Sequence, residues 1–139
     1  KSLKLSFDVV GGDFERAGEA SAKIKKMLKM IGVPADIVRR IAIGTYEAEM
    51  NVIIHAGGGN VAAEAFSDAT VITVTDKGPG IPDIEMAMKE GYSTAPDNVR
   101  SLGFGAGMGL PNIKKYTDEM KIDSVVGEGT TMYLKVYNN

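Results

Sequence analysis

The sequence predicts an α+β two-layer sandwich, in which a mixed, mostly antiparallel sheet carries its helices on one face. Segments with the two-residue period of strands and the 3.6-residue period of helices alternate in the order β-α-α-β-β-α-loop-α-β-β. Short turns join most of the strands, which favours antiparallel hairpins. With 139 residues, 44% of them hydrophobic, we expect one domain with its own core, residues 1–139.

The first strand and two long helices account for the first part of the chain. Lys1 to Val9 alternates apolar and polar residues, as a half-buried strand does. Apolar and small residues then keep helical spacing from Phe14 up to Gly32, and this predicts an amphipathic helix with Arg16 in its first turn. A second helix is predicted from Pro34 to about His55.

Two hairpins, two short helices and a long aperiodic segment make up the remainder. Gly91 to Gly109 shows neither period, and loops of this length in compact domains are usually functional. The other predicted elements are the strands Asn60 to Phe66 and Ala69 to Thr75, the helices Asp83 to Glu90 and Leu110 to Met120, and the strands Lys121 to Val126 and Thr130 to Tyr137.

Composition excludes several classes of protein. A net charge of −2 offers no basic surface for nucleic acid, so we expect no nucleic-acid partner. The absence of cysteine excludes disulfides and thiolate metal sites. No apolar run approaches the roughly 18 residues of a membrane span, and no signal peptide is visible. We therefore expect a cytoplasmic protein with no membrane partner.

The stretch Asp76-Lys77-Gly78-Pro79-Gly80-Ile81-Pro82 is the most informative in the chain. Asp76 follows a β-branched strand directly, so its carboxylate is expected at a strand end that faces a loop. Gly78 and Gly80 allow positive φ angles and the close approach of a ligand, while the prolines stiffen the turn. A rigid carboxylate in such a turn is suited to bind an amino group beside a ring nitrogen, as adenine offers. The alternative is an ordinary Gly-Pro turn with a capping Asp.

Glu47 and Asn51 are four residues apart and therefore share one face of the second helix. A carboxylate that can take a proton and an amide oxygen that can hold Mg²⁺ would justify two polar groups in an otherwise apolar helix. The alternative is an exposed polar stripe. Glu49 points about 200° away from Glu47, and we expect it on the surface.

A glycine-spaced loop, Gly103 to Gly109, leads into the helix that begins at Leu110. Free backbone N–H groups and the positive end of a helix dipole form an anion site, for which phosphate is the usual ligand. The loop is neither a Rossmann fingerprint nor a P-loop. Its alternative is a mobile lid without a ligand. Thr130 and Thr131 offer hydroxyls on the last strand, although β-propensity alone explains threonine there.

Taken together, four motifs stand in a recognisable order. They are Glu47-x-x-x-Asn51, Asp76-x-Gly78-x-Gly80, Gly105-x-Gly107-x-Gly109 and Gly129-Thr130-Thr131. This order resembles the ATPase superfamily of gyrase, heat-shock chaperones, histidine kinases and the MutL repair proteins, which share the Bergerat ATP-binding fold. The phrases Asp-Lys-Gly-Pro-Gly-Ile-Pro-Asp, Gly91-Tyr92-Ser93-Thr94 and Gly-Leu-Pro-Asn-Ile-Lys-Lys are most similar to the bacterial anti-sigma-factor and switch-protein serine/threonine kinases.

The resemblance implies a role for each motif. Glu47 would be the general base, Asn51 would hold Mg²⁺, Asp76 would bind the adenine amino group, and the segment from Gly91 to Gly109 would close over the phosphates. Arg16 matches the position from which anti-sigma kinases contact their antagonist protein. The full set of implied ATP-binding residues is Asn51, Asp76, Gly78, Gly80, Ile81, Tyr92, Ser93, Thr94, Gly103, Gly105, Ala106, Gly107, Met108, Gly109, Leu110 and Thr130.

The implied function is ATP-dependent phosphorylation of a STAS-type antagonist protein in a partner-switching pathway, with a sigma factor or a regulatory phosphatase as the second partner. A homodimer is compatible with the resemblance. One rival is a nucleotide-gated module that captures a sigma factor or phosphatase and transfers nothing. Another is a structural α/β domain that binds no nucleotide. A histidine kinase is disfavoured because His55 is the only histidine and lies inside the predicted ATP domain.

Overall fold

A computed structural model describes residues 2–81, 88 and 109–138 of the chain. Apart from Met88, the predicted helix Asp83 to Glu90 lies outside the described residues, and so does the segment between 91 and 108. The elements are β1 (Leu3–Val10), a 3₁₀ turn (Phe14–Arg16), α1 (Glu19–Met30), α2 (Ala35–His55), β2 (Gly58–Ala65), β3 (Ala69–Asp76), α3 (Gly109–Tyr116), β4 (Glu119–Val125) and β5 (Gly129–Tyr137).

The strands form a five-stranded sheet in the order β1-β2-β3-β5-β4. Every pairing among the described strands is antiparallel, which confirms the predicted α+β class and makes the described sheet antiparallel throughout. The predicted β2–β3 hairpin closes through Phe66 N–H, which donates to the Ala69 carbonyl at 2.8 Å. The strand order could not be predicted, because β5 enters between β3 and β4 and local patterns do not specify that insertion.

The core lies between the sheet and the three described helices. Alternate residues of β5 are buried, as expected for a strand with one face packed on helices. Ile24, Ile113 and Leu134 are at most 1% exposed, and each such side chain contributes roughly 1.5–3 kcal/mol through its burial. Within the described part of the chain, no helix combines the length and apolar character that a membrane crossing requires.

One row of residues runs straight across the sheet and organises the end at which the candidate site lies. Val9 pairs with Gly59, Gly59 with Asp76, Asp76 with Thr130, and Thr130 with Ser124. Because neighbouring strands are about 4.8 Å apart, Val9 lies about 10 Å from Asp76. The loop that leaves β1 and carries Arg16 therefore begins at the same end of the sheet, along the strand direction, as the Asp76 turn.

The prediction that the first helix begins at Phe14 is wrong. Phe14–Arg16 is a separate 3₁₀ turn, capped by the Asp13 side chain, which accepts from Arg16 N–H at 3.4 Å. Gly18 follows with a φ of +89°, a left-handed conformation that interrupts the helical path. Consequently α1 begins at Glu19, and Arg16 lies in the 3₁₀ turn rather than in the first turn of the long helix.

A polar clamp joins α2 to the far end of α3. Arg40 donates to the Tyr116 carbonyl at 3.2 Å and to Asp118 at 3.0 Å, and Asp118 also accepts from Tyr137 N–H at 2.8 Å. The Tyr137 backbone hydrogen bond, assisted by Arg40 and opposed by partial desolvation, lowers the pKa of Asp118 below its ordinary 3.8. The clamp therefore works with an ionised carboxylate.

This shift predicts how stability depends on pH. A lowered folded-state pKa means that the Asp118 contribution is present above pH 3.8 and is lost as the pH falls through the folded value. We expect Asp118→Asn to cost on the order of 1 kcal/mol or less at pH 7, because the pair is partly exposed. Urea unfolding from pH 7 to about pH 3 should show the difference from wild type shrinking in acid. Asp123→Asn is the matched control, and a difference that stays constant in acid would contradict the prediction.

Candidate functional site

The Asp76 carboxylate is held at the end of β3 by two backbone groups. Its Oδ1 atom accepts from Gly78 N–H at 2.8 Å and from Thr130 N–H at 3.3 Å. Gly78 closes the turn that follows the strand, and Thr130 is the residue opposite Asp76 on β5. Two donors on one oxygen fix the plane of the carboxylate, so the group is oriented before any ligand arrives.

Glycines surround Asp76 where the backbone segments come too close for side chains. A Cβ atom on Gly78 would lie 2.7 Å from the Ala56 Cβ, and one on Gly59 would lie 2.3 Å from the Thr75 carbonyl oxygen. Gly129 has a φ of +138°, and its Cβ would lie 2.2 Å from the Asp76 carbonyl oxygen. The glycines thus let the C-terminal end of α2 pack directly against the Asp76 turn.

Ser124, which no motif in the sequence singles out, joins the two sides of the turn. Its Oγ accepts from Ile81 N–H at 2.7 Å and lies 2.8 Å from the Thr130 Oγ1. Gly80, with a φ of +80°, passes close to the Val125 carbonyl just before Ile81. The predicted residues Gly78, Gly80, Ile81 and Thr130 are therefore brought together around Asp76, with Ser124 between two of them.

Glu47 and Asn51 lie one turn apart on α2 and are both half-buried. Glu47 accepts a hydrogen bond from the Asn112 side chain at 3.1 Å. Asn112 is on α3, three residues after Gly109, where the predicted glycine loop enters the helix. Asn112 was not singled out from the sequence, although it stands in the phrase Gly-Leu-Pro-Asn-Ile. It ties the Glu47 carboxylate to the helix that ends that loop.

The two groups of residues are connected through α2. Ala56, immediately after α2, touches the Gly78 side of the Asp76 turn. With a rise of 1.5 Å per residue, Asn51 lies about 7 Å and Glu47 about 13 Å back along the helix from Ala56. The arrangement is a line of polar groups from the Asp76 turn to the start of α3.

The expectation that Glu49 lies on the surface is wrong. Its side chain is 2% exposed, and its carboxylate accepts from the backbone N–H groups of Gly18, Ala20 and Ser21 at 3.1–3.2 Å. Helical periodicity correctly turned Glu49 away from Glu47, but that face of α2 is covered by α1. The first N–H groups of α1 lack partners within the helix, and Glu49 supplies the acceptor.

Two pKa shifts report the electrostatics of α2. Desolvation, followed by the charges of Glu47 and Glu49, raises the pKa of Tyr46 above 10.0. Desolvation lowers the pKa of His55 below 6.5, and the Asp76 carboxylate opposes that shift. His55 is therefore mostly neutral at pH 7, and the negative charge of Asp76 is not cancelled by an imidazolium at the helix end.

The donor set around Asn51 fits Mg²⁺ only if the ligand brings oxygens of its own. Among the described residues no group of three or more His, Cys, Asp or Glu side chains could hold a metal ion. Mg²⁺ is commonly bound by one or two protein oxygens together with substrate phosphates and water. The half-buried amide of Asn51 can supply one such oxygen.

Eight predicted residues lie outside the described part of the chain. They are Tyr92, Ser93, Thr94, Gly103, Gly105, Ala106, Gly107 and Met108. Gly109 and Leu110 are described and open α3. The Leu110 side chain is 6% exposed and belongs to the core. Only its backbone N–H, one of the donors that a helix start cannot satisfy within the helix, could serve a ligand. Arg16 lies apart from these residues, on the 3₁₀ turn.

Comparison with known proteins found a matching family and several similar proteins. The profile of the family described as "Histidine kinase-like ATPase domain" matches residues 12–136. The chain is 34% identical over 110 residues to the serine/threonine-protein kinase RsbT of Bacillus subtilis, covering 76% of this chain and 77% of that protein. It is 30% identical over 138 residues to the anti-sigma F factor of Clostridium beijerinckii, covering 95% and 92%.

A solved structure shares the fold. Part of a chain that contains the RsbU and RsbW domains of a Mycobacterium tuberculosis protein superposes with a TM-score of 0.65 at 18% identity, covering 96% of this chain. The chain spans 32% of that longer protein. At this identity the likeness concerns the fold alone.

Proposed function

Because the chain belongs to the histidine kinase-like ATPase domain family, we propose that it is an ATP-dependent serine/threonine protein kinase of a bacterial partner-switching pathway. Its relatives include a serine/threonine-protein kinase and several anti-sigma F factors. The substrate would be a STAS-domain antagonist protein, and the second partner a sigma factor or a regulatory phosphatase. Because such partners act in the cytoplasm, the reaction would take place there.

One observation carries the proposal: the turn with the oriented carboxylate of Asp76 packs against the C-terminal end of α2, the helix that carries the tethered carboxylate of Glu47. Asp76, held through Oδ1 by Gly78 and Thr130, would accept a hydrogen bond from the adenine amino group. Glu47, about 13 Å from Ala56 along α2, would lie at the triphosphate end. The start of α3, whose first N–H groups have no acceptor within the helix, favours an anionic phosphate near Glu47.

In the proposed reaction the chain supplies position, charge and a base. Glu47 would take the proton from the substrate hydroxyl as the hydroxyl oxygen bonds to the γ-phosphorus, while Asn112 holds the carboxylate in place. The bond from the γ-phosphorus to the β,γ-bridging oxygen would break in the same step, and ADP would leave. Asn51 would ligate Mg²⁺, which, when bound, neutralises phosphate charge. That the predicted residues between 92 and 108 contact the phosphates stays a prediction. That Arg16 contacts the protein partner stays a prediction as well.

Labelling distinguishes this kinase from its rival, the non-catalytic binding module. The chain, Mg²⁺ and γ-labelled ATP would be incubated with purified STAS-domain proteins, and the modified residue mapped by mass spectrometry. We expect label on a serine or threonine of one of them. A partner that binds stoichiometrically yet stays unlabelled would favour the module, and no heat with ATP and Mg²⁺ in calorimetry would exclude both.

Asp76→Asn should weaken ATP binding itself. The change removes the charge of the proposed adenine acceptor and a charge-assisted hydrogen bond worth about 1.5–3 kcal/mol, so we expect a loss of about 10- to 100-fold in affinity. Calorimetric titration with ATP measures it, and circular dichroism checks the fold. Asp68→Asn, in the β2–β3 turn at the other end of β3, is the matched control. Unchanged ATP affinity in folded Asp76→Asn would remove Asp76 from the proposed site.

A further inference from the structure

The segment from Gly12 to Ser21 is attached to α2 at both of its ends. At the start, Gly12 N–H donates to the Ile53 carbonyl at 2.9 Å. At the end, Gly18, Ala20 and Ser21 donate their N–H groups to the Glu49 carboxylate. The 3₁₀ turn with Arg16 lies between these two attachments, so α2 determines where the turn is held.

The Glu49 attachment is strong because it is buried and charged. Three N–H groups that α1 cannot satisfy internally share one carboxylate, and hydrogen bonds to a charged acceptor exceed those between neutral groups. Removing the charge leaves buried donors without an acceptor of equal strength. The Ser21 hydroxyl reinforces the same corner by donating to the Gly18 carbonyl at 3.0 Å.

Arg16 is displayed where a partner could reach it. Its side chain is 73% exposed, and its Nε lies 3.8 Å from an Asp13 oxygen. It stands at a cavity of about 240 Å³ between β1 and α1, whose lining also includes Phe7, Asp13, Glu19 and Glu49. Glu49 thus reaches the wall of the cavity beside which Arg16 is exposed, on the face of α2 opposite to Glu47.

We infer that Glu49 is a positioning residue for protein recognition: it holds the 3₁₀ turn against α2 so that Arg16 is presented in one place to the partner. The inference rests on the proposed function, in which Arg16 contacts the protein substrate. Glu49 takes no part in nucleotide binding or proton transfer, because its side chain points about 200° away from Glu47 around the helix. One helix therefore serves nucleotide chemistry on one face and partner recognition on the other.

A double-mutant cycle tests the inference on a purified STAS-domain protein that the wild-type chain phosphorylates. Glu49→Gln should raise the KM for this protein about tenfold, and kcat and the Kd for ATP should stay within about twofold. Arg16→Ala should raise the same KM by a similar factor. If Glu49 acts through Arg16, the KM of the double variant should not exceed the KM of the more impaired single variant. Glu15→Gln, an exposed carboxylate on the same segment, is the matched control.

Amide hydrogen exchange gives an independent measurement on the free protein. Glu49→Gln should lose protection at Gly18, Ala20 and Ser21 while α2 stays protected. If Glu49→Gln does not fold, Ser21→Ala loosens the same corner without touching the carboxylate, and it should raise the KM about two- to threefold with the same coupling to Arg16→Ala.

The outcomes separate the two proposals. KM effects that multiply in the double variant, an equal loss of ATP affinity, or unchanged exchange at the three amides would overturn the role of Glu49. A wild-type chain that phosphorylates no STAS-domain protein would overturn the proposed function instead. In that case the exchange measurement decides alone whether Glu49 holds the segment.

Discussion

Glu47→Gln is expected to keep ATP affinity within about twofold and to lower partner phosphorylation by about 10²- to 10⁴-fold, the range that general-base catalysis contributes. Glutamine keeps the shape of the side chain and an oxygen for the Asn112 hydrogen bond, but it cannot take a proton at neutral pH. Single-turnover labelling of the protein substrate measures the chemical step, and calorimetry measures ATP binding.

The informative control for Glu47→Gln is Asn112→Ala. That variant leaves the carboxylate but removes the group that holds it, so we expect a smaller loss, about tenfold, through misplacement of the base. Equal losses of ATP affinity and labelling in Glu47→Gln would mean that Glu47 serves binding rather than proton transfer. Labelling at the wild-type rate would remove Glu47 from the mechanism.

Gly129→Ala is expected to lower the free energy of unfolding by about 2–6 kcal/mol. The added methyl group would lie 2.2 Å from the Asp76 carbonyl oxygen, and the φ of +138° is one that alanine rarely adopts. Backbone strain of about 1–3 kcal/mol and overpacking of about 1–3 kcal/mol act together at this position. Urea denaturation measures the loss. Folded material should also bind ATP more weakly, because the Asp76 turn must move.

Gly127→Ala separates strain from crowding within the same turn. Gly127 has a φ of +83°, but nothing lies within 4 Å of the place where its Cβ would stand. Gly127→Ala should therefore lower the free energy of unfolding by only about 1–2 kcal/mol, the cost of holding alanine in the left-handed conformation. Similar losses in the two variants would show that close packing against Asp76 contributes little.

The fold was predictable because its signals are local. Alternation in β5, the helical spacing of α2 and the short β2–β3 turn each follow from a few neighbouring residues. The start of α1 was wrong because Gly18 breaks the helical path inside a pattern that still has helical spacing. The position of β5 between β3 and β4 depends on contacts between distant segments, which periodicity does not contain.

The candidate site was predictable only in part, for a related reason. Glycines and an acid in a turn are conspicuous, so the sequence predicts several of the residues that the structure brings together around Asp76. Ser124 and Asn112 are small polar residues of a kind common on surfaces, and only their partners distinguish them. Glu49 was misjudged because a helical wheel gives the direction of a side chain without telling which neighbouring element covers it.

The register of the sheet has a practical consequence for studying this protein. Leu3 pairs with Ala65, and Ala69 pairs with Tyr137, so β1 begins and β5 finishes at the end of the sheet opposite Asp76. Seven residue steps along β3, about 24 Å, separate the two ends. A fluorophore or a biotin anchor attached beside Leu3 or Tyr137 should therefore stand away from the Asp76 turn and the Arg16 turn, which suits these positions to biosensor immobilisation.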